Sequence, residues 1–116
     1  MDIFDKSAQN PGGWRDATVR MVHEGRGTTH LVDVREPDEW AGELGVIEGA
    51  ECVSLASVVE AASAWKKDET LILVCRSGNR SGKAAAALQN SGFTRLINMT
   101  GGMLAWSAEA LPVAAR

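Results

Sequence analysis

Cys75-Arg-Ser-Gly-Asn-Arg80 places one thiol, two guanidinium groups and a glycine within six residues. That mixture suits thiolate chemistry on an anionic partner. The ionised form is the nucleophile, and cations or a helix N-terminus lower a cysteine pKa from about 8.5 to roughly 3.5–7.5. Arg76 and Arg80 can grip a sulfonate or phosphate-like group through paired N–H donors. Gly78 lets the backbone turn without a side chain blocking the anion. The plain alternative is an inert core cysteine, since free cysteine is among the most buried residue types. Convergence of so many groups on one sulfur favours chemistry.

The flanking pattern says how these groups are held. Thr70 to Cys75 contains an unbroken Leu-Ile-Leu-Val run, which predicts a central parallel strand buried on both faces. Arg80 to Gln89 predicts the next helix, with Ala84 to Ala87 allowing close approach to the sheet and Asn90-Ser-Gly92 ending it. Cys75 then lies at the carboxyl end of a strand, where open α/β sheets bind ligands. A helix N-terminus and a turn of inward-facing amides would together cradle an anion there.

Short apolar runs alternate with longer amphipathic stretches along the rest of the chain. This predicts an α/β fold with a central parallel sheet flanked by helices on both faces. Strands are expected at Leu31–Val34, Glu51–Ser54 and Arg95–Met99, and helices at Gly13–Glu24, from Pro37, at Ser57–Trp65 and at Gly101–Ala108. Pro37 suits a first helical turn, with Asp38 and Glu39 placed to meet the positive end of the dipole. Ser57 to Glu60 has capping-box spacing.

The chain has 116 residues, 45% apolar and 23% charged, which fits one compact domain over 1–116. Residues 1–12 are expected to form a loosely ordered lead-in. The charge is uneven. Residues 1–69 hold 7 basic and 14 acidic side chains, whereas 70–108 hold Arg76, Arg80, Lys83, Arg95 and no carboxylate. Such a balance argues against nucleic acid as a partner and suits a small anion. The longest apolar runs are five residues, too short for a bilayer span, and the first residues lack a signal-peptide core. With only two cysteines, a cytoplasmic, thiol-reducing location is expected.

The sequence resembles the single-domain rhodanese-like sulfurtransferases. The matching stretches are Leu31-Val-Asp-Val-Arg-Glu-Pro-Asp-Glu-Trp40, Ile47-Glu-Gly-Ala50, Cys75-Arg-Ser-Gly-Asn-Arg-Ser81 and Gly101-Gly-Met-Leu-Ala-Trp106. Val46 stands where the family usually has a histidine, which is read as a structural departure. The resemblance implies a relay in which Cys75 takes a sulfane sulfur from a donor such as thiosulfate. Cys75 then passes it, as a persulfide, to cyanide, a small thiol or a protein acceptor. The amides and side chains of Arg76, Ser77, Gly78, Asn79 and Arg80 would hold donor and persulfide. An arginine directly after the nucleophile tilts the donor towards thiosulfate. No metal or organic cofactor is implied.

Rivals can be weighed on spacing. Cysteine phosphatases and arsenate reductases on the same scaffold use a C-x5-R loop, whereas Cys75 and Arg80 enclose four residues. A persulfide carrier or regulatory module acting on a protein partner is the other reading; the intact Cys75 argues against an inactive module but does not separate a free enzyme from a carrier. Gly78-Asn-Arg-Ser-Gly-Lys83 has one residue too few for a nucleotide-binding P-loop. The two cysteines and two histidines lack zinc spacing. Asp33 and Arg35, at the same sheet edge, are expected to brace the loop, with a simple structural ion pair as the alternative. Cys52 is expected to be a buried small hydrophobe.

Overall fold

The computed structural model describes residues 2–115. The strands are β1 (Ala8–Gln9), β2 (Arg15–Ala17), β3 (His30–Asp33), β4 (Glu51–Cys52), β5 (Leu71–Val74) and β6 (Leu96–Met99). The helices are α1 (Ile3–Lys6), α2 (Val19–Gly25), α3 (Pro37–Trp40), α4 (Val58–Ala61), α5 (Asn79–Asn90) and α6 (Gly102–Ala108). One sheet runs β1-β2-β6-β5-β3-β4, antiparallel at β1–β2 and parallel elsewhere. The fold is α/β with a mostly parallel sheet.

Alternation along the central strands divides the core. Ile72 and Val74 face a cluster with Val22 of α2 and Met103 and Trp106 of α6. Leu71, Leu73 and Cys75 face the opposite cluster, with Val58 of α4 and Ala84, Ala85 and Leu88 of α5. Helices therefore cover both faces. Each fully buried Leu, Ile or Val contributes about 1.5–3 kcal/mol, and all four residues of β5 are 0% exposed. The strand that carries the candidate site is thus the most firmly anchored.

Three expectations are corrected. Residues 13–24 are not one helix: Arg15–Ala17 pairs with Ile97–Met99 as β2. The helix starts only after Thr18, whose side chain accepts from the Met21 amide. Residues 2–9 pack onto the domain instead of forming a loose lead-in. Ile3 is buried, the Arg15 and Arg95 guanidinium groups each stack on the Phe4 ring, and Arg15 Nη1 donates to the Ser7 carbonyl at 2.9 Å. The Ser57–Trp65 helix is broken into 3₁₀ turns at Leu55–Ser57 and Ala62–Ala64 around α4. Ser57 already has helical backbone angles there, so it makes no side-chain cap. Among the described residues no helix is long and apolar enough to cross a membrane.

Candidate active site

β5 delivers Cys75 to the carboxyl edge of the sheet, and the chain then turns within three residues into α5. The turn depends on Gly78, which caps α5 at φ +106°, a conformation that disfavours any side chain. Its amide donates to Cys75 Sγ at 3.0 Å, and the Ser81 hydroxyl lies 3.3 Å from the same sulfur. Cys75 is 1% exposed, yet its sulfur is surrounded by donors rather than by apolar groups alone. Burial pushes the thiol pKa up. The Ser81 hydroxyl and the amides of Ser81, Gly78 and Ser77 outweigh it, holding the thiol below its ordinary value.

A second layer orders this turn from behind. Met103 N donates to the Cys75 carbonyl at 2.9 Å and Leu104 N to the Arg76 carbonyl at 3.0 Å. With its carbonyls taken by the start of α6, the loop can turn its amides inward. Such close approach requires Gly102: a Cβ there would lie 2.4 Å from the Arg76 carbonyl oxygen. The buried Asn98 side chain accepts from Ser81 Oγ at 2.5 Å and donates to the Gly78 carbonyl at 3.2 Å.

Asp33 and Arg35 form a buried ion pair, with Arg35 Nη2 2.7 Å from Asp33 Oδ2. Arg35 also donates to the Gly45 carbonyl at 2.6 Å and the Glu39 carbonyl at 3.4 Å, while Trp40 Nε1 donates to Asp33 at 3.2 Å. This pair therefore suspends the α3 segment over the sheet edge. From that segment the Glu39 carboxylate reaches Arg80, accepting two bonds at 2.6 and 2.8 Å. The Arg80 hydrogen bonds hold the Glu39 carboxyl down at about 2.

The rhodanese-like domain model matches residues 17–109. The chain belongs to the rhodanese-like domain family. It is 38% identical over 85 residues to a sulfurtransferase of Allochromatium vinosum, covering 73% of this chain and 78% of that one. It is 37% identical over 76 residues to the thiosulfate sulfurtransferase GlpE of Pseudomonas paraeruginosa, covering 66% and 67%. The match to a probable adenylyltransferase/sulfurtransferase MoeZ of Mycobacterium tuberculosis, 36% identical, spans only 21% of that relative's length. A rhodanese-related protein of Thermoplasma volcanium superposes with a TM-score of 0.78 at 25% identity, over 89% of this chain and all of the other.

Two sequence expectations change within this rhodanese-like domain. Arg80 was expected to grip the donor anion, but its guanidinium is committed to Glu39, because α3 brings that carboxylate against the first turn of α5. Arg76 is instead the exposed cation of the loop, beside a cavity of about 210 Å³ bordered by Glu43, Leu44 and Leu104. Ser77 and Asn79 are also exposed. Cys52, expected to be buried, is exposed on β4. Sequence reading missed Ser81, Asn98, Glu39 and Gly102 as parts of the site. Glu39, Ser81 and Gly102 stand inside the stretches that match the rhodanese-like family, and Asn98 is a polar residue inside the otherwise apolar Leu96–Met99 strand.

Proposed function

We propose that this rhodanese-like domain, acting as one unit over residues 1–116, is a sulfurtransferase that works through a Cys75 persulfide. The Cys75 thiolate attacks the outer sulfur of thiosulfate. The S–S bond of the donor breaks, and sulfite leaves with the bonding pair. Cyanide or a thiolate then attacks the terminal persulfide sulfur and regenerates the Cys75 thiolate. Splitting the transfer in this way is covalent nucleophilic catalysis and gives ping-pong kinetics. No cofactor enters either step, and the reaction belongs in a thiol-reducing, cytoplasmic setting.

The observation that carries this reading is the ring of donors around Cys75 Sγ, with Gly78 N at 3.0 Å and Ser81 Oγ at 3.3 Å. The same groups stabilise a thiolate before attack and a persulfide anion after it, because preorganised dipoles need no rearrangement as charge moves. Arg76, exposed beside the turn, supplies the cation for the incoming anion, and the GlpE relative's name supports thiosulfate as the donor. Ser77, Gly78 and Asn79 line the turn, Arg80 braces it through Glu39, and Asp33 and Arg35 hold the segment from which Glu39 acts. An Arg80 already bound to carboxylate also argues against phosphatase or arsenate reductase chemistry, where the loop arginine must grip the substrate.

The test is intact mass spectrometry after thiosulfate treatment. One added sulfur on Cys75, removed by cyanide with release of thiocyanate, supports the reading. Absence of the adduct under conditions that leave the protein folded overturns it. Comparing transfer rates to small thiols and to protein acceptors separates a free enzyme from a carrier module.

A further inference from the structure

Asn98 has no counterpart in the relay just described, yet its side chain is buried, and the residue is 7% exposed. It stands on β6 opposite Leu73 of β5, one strand away from the candidate nucleophile. Its Nδ2 donates to the Gly78 carbonyl at 3.2 Å, which fixes the amide orientation and leaves Oδ1 facing Ser81. The Ser81 hydroxyl is 2.5 Å from that oxygen and 3.3 Å from Cys75 Sγ, and Ser81 is 0% exposed. A hydroxyl carries one proton and can donate it in one direction only. The two acceptors therefore compete.

We propose that Asn98 is a positioning residue that governs how readily Cys75 ionises, by competing with its sulfur for the single Ser81 proton. When Cys75 is a neutral thiol, Ser81 donates to Asn98 Oδ1 and its own oxygen accepts the S–H. When the sulfur is anionic, it becomes the stronger acceptor, as charged acceptors are, and the Ser81 proton turns to it. Asn98 thus gives the proton somewhere to reside in the uncharged state. It limits how far the thiolate is stabilised, and an over-stabilised thiolate is a weaker nucleophile. The inference rests on Cys75 being the reacting thiol. Its test reads ionisation rather than sulfur transfer, so either can fail while the other stands.

The test is the pH dependence of Cys75 alkylation by iodoacetamide, followed by mass spectrometry of the Cys75 peptide with the Cys52 peptide as an internal control. Ser81→Ala removes the donor and should raise the midpoint. Asn98→Leu frees the Ser81 proton for sulfur and should lower the midpoint by about half a unit to one unit, the size of one hydrogen bond. In a Ser81→Ala background, Asn98→Leu should produce no lowering, and any change should be the small rise expected from a loosened Gly78 turn. An unchanged or raised midpoint for Asn98→Leu, or the same shift with and without Ser81, overturns the proposal in favour of simple support of the Gly78 turn. If Asn98→Leu does not fold, Asn98→Asp serves. Its carboxylate should raise the midpoint more when Ser81 is present than when it is absent. Equal rises overturn the proposal.

Discussion

Cys75 and Cys52 lie on opposite sides of β3, and their thiols are driven in opposite directions. Cys52 is the exposed one, but partial shielding of its sulfur, followed by the Asp33 charge, pushes its pKa up; Arg35 opposes this only in part. Cys75 is buried and nevertheless lowered, because the Ser81 hydroxyl and the amides of Ser81, Gly78 and Ser77 point at it. Exposure is therefore a poor guide to thiol acidity. Directed donors decide it. The two sulfurs also cannot pair directly. Asp33 aligns with Cys52 on one side and with Val74 on the other. Two strand spacings of about 4.8 Å each exceed the roughly 7 Å Cα limit for a disulfide.

The largest expected effect comes from removing the lowered thiol. Cys75→Ala should reduce sulfur transfer on the order of 10³-fold or more while leaving the melting temperature nearly unchanged, as measured by thiocyanate release and thermal unfolding. Cys52→Ala, by contrast, should leave transfer rates essentially at the starting level. A large loss from Cys52→Ala would erase the distinction between the two thiols.

Next in size is Asp33→Asn. Removing one partner of a buried ion pair leaves the other charge uncompensated, at a cost of about 3–5 kcal/mol. Urea unfolding should show this loss. Here the comparison sharpens, because Asp33 also raises the Cys52 thiol. The same substitution should shift Cys52 alkylation to lower pH in whatever fraction stays folded.

The Glu39–Arg80 pair gives a smaller effect with a defined pH window. The Glu39 carboxyl is held at about 2 in the folded protein against 4.5 as its ordinary value. Its contribution is therefore complete above about pH 4.5 and is lost as pH falls towards 2. Glu39→Gln should lower stability at neutral pH by about 1–2 kcal/mol, allowing for partial solvent screening. The gap from the unaltered protein should close as the solution is acidified through that window. Arg76→Ala should act on binding alone, raising KM for thiosulfate roughly tenfold, as loss of one charge-assisted contact would. Stability should change by less than about 0.5 kcal/mol.

Much of the site was legible because local signals carried it. A four-residue apolar run, a cysteine at its end, a glycine and a helix start fix where the sulfur goes and which way the amides can turn. What was hidden arises from pairing at long range. Arg15–Ala17 reads as helix until β6 is known to lie beside it. Arg80 looks free until α3 delivers Glu39, 41 residues earlier in the chain. Cys52 looks like core because it sits beside Val53 in an expected strand, but β4 is an edge strand with both residues exposed. Asn98 and Ser81 meet across 17 residues of sequence, and nothing in either neighbourhood announces the hydrogen bond.

The relay turns on one ionised sulfur, which is read out by the alkylation rate of each cysteine in the unaltered folded protein as a function of pH. A Cys75 midpoint below the ordinary thiol value of about 8.5, with Cys52 titrating above Cys75, is the predicted result. A Cys75 midpoint at or above that of Cys52 would contradict the account.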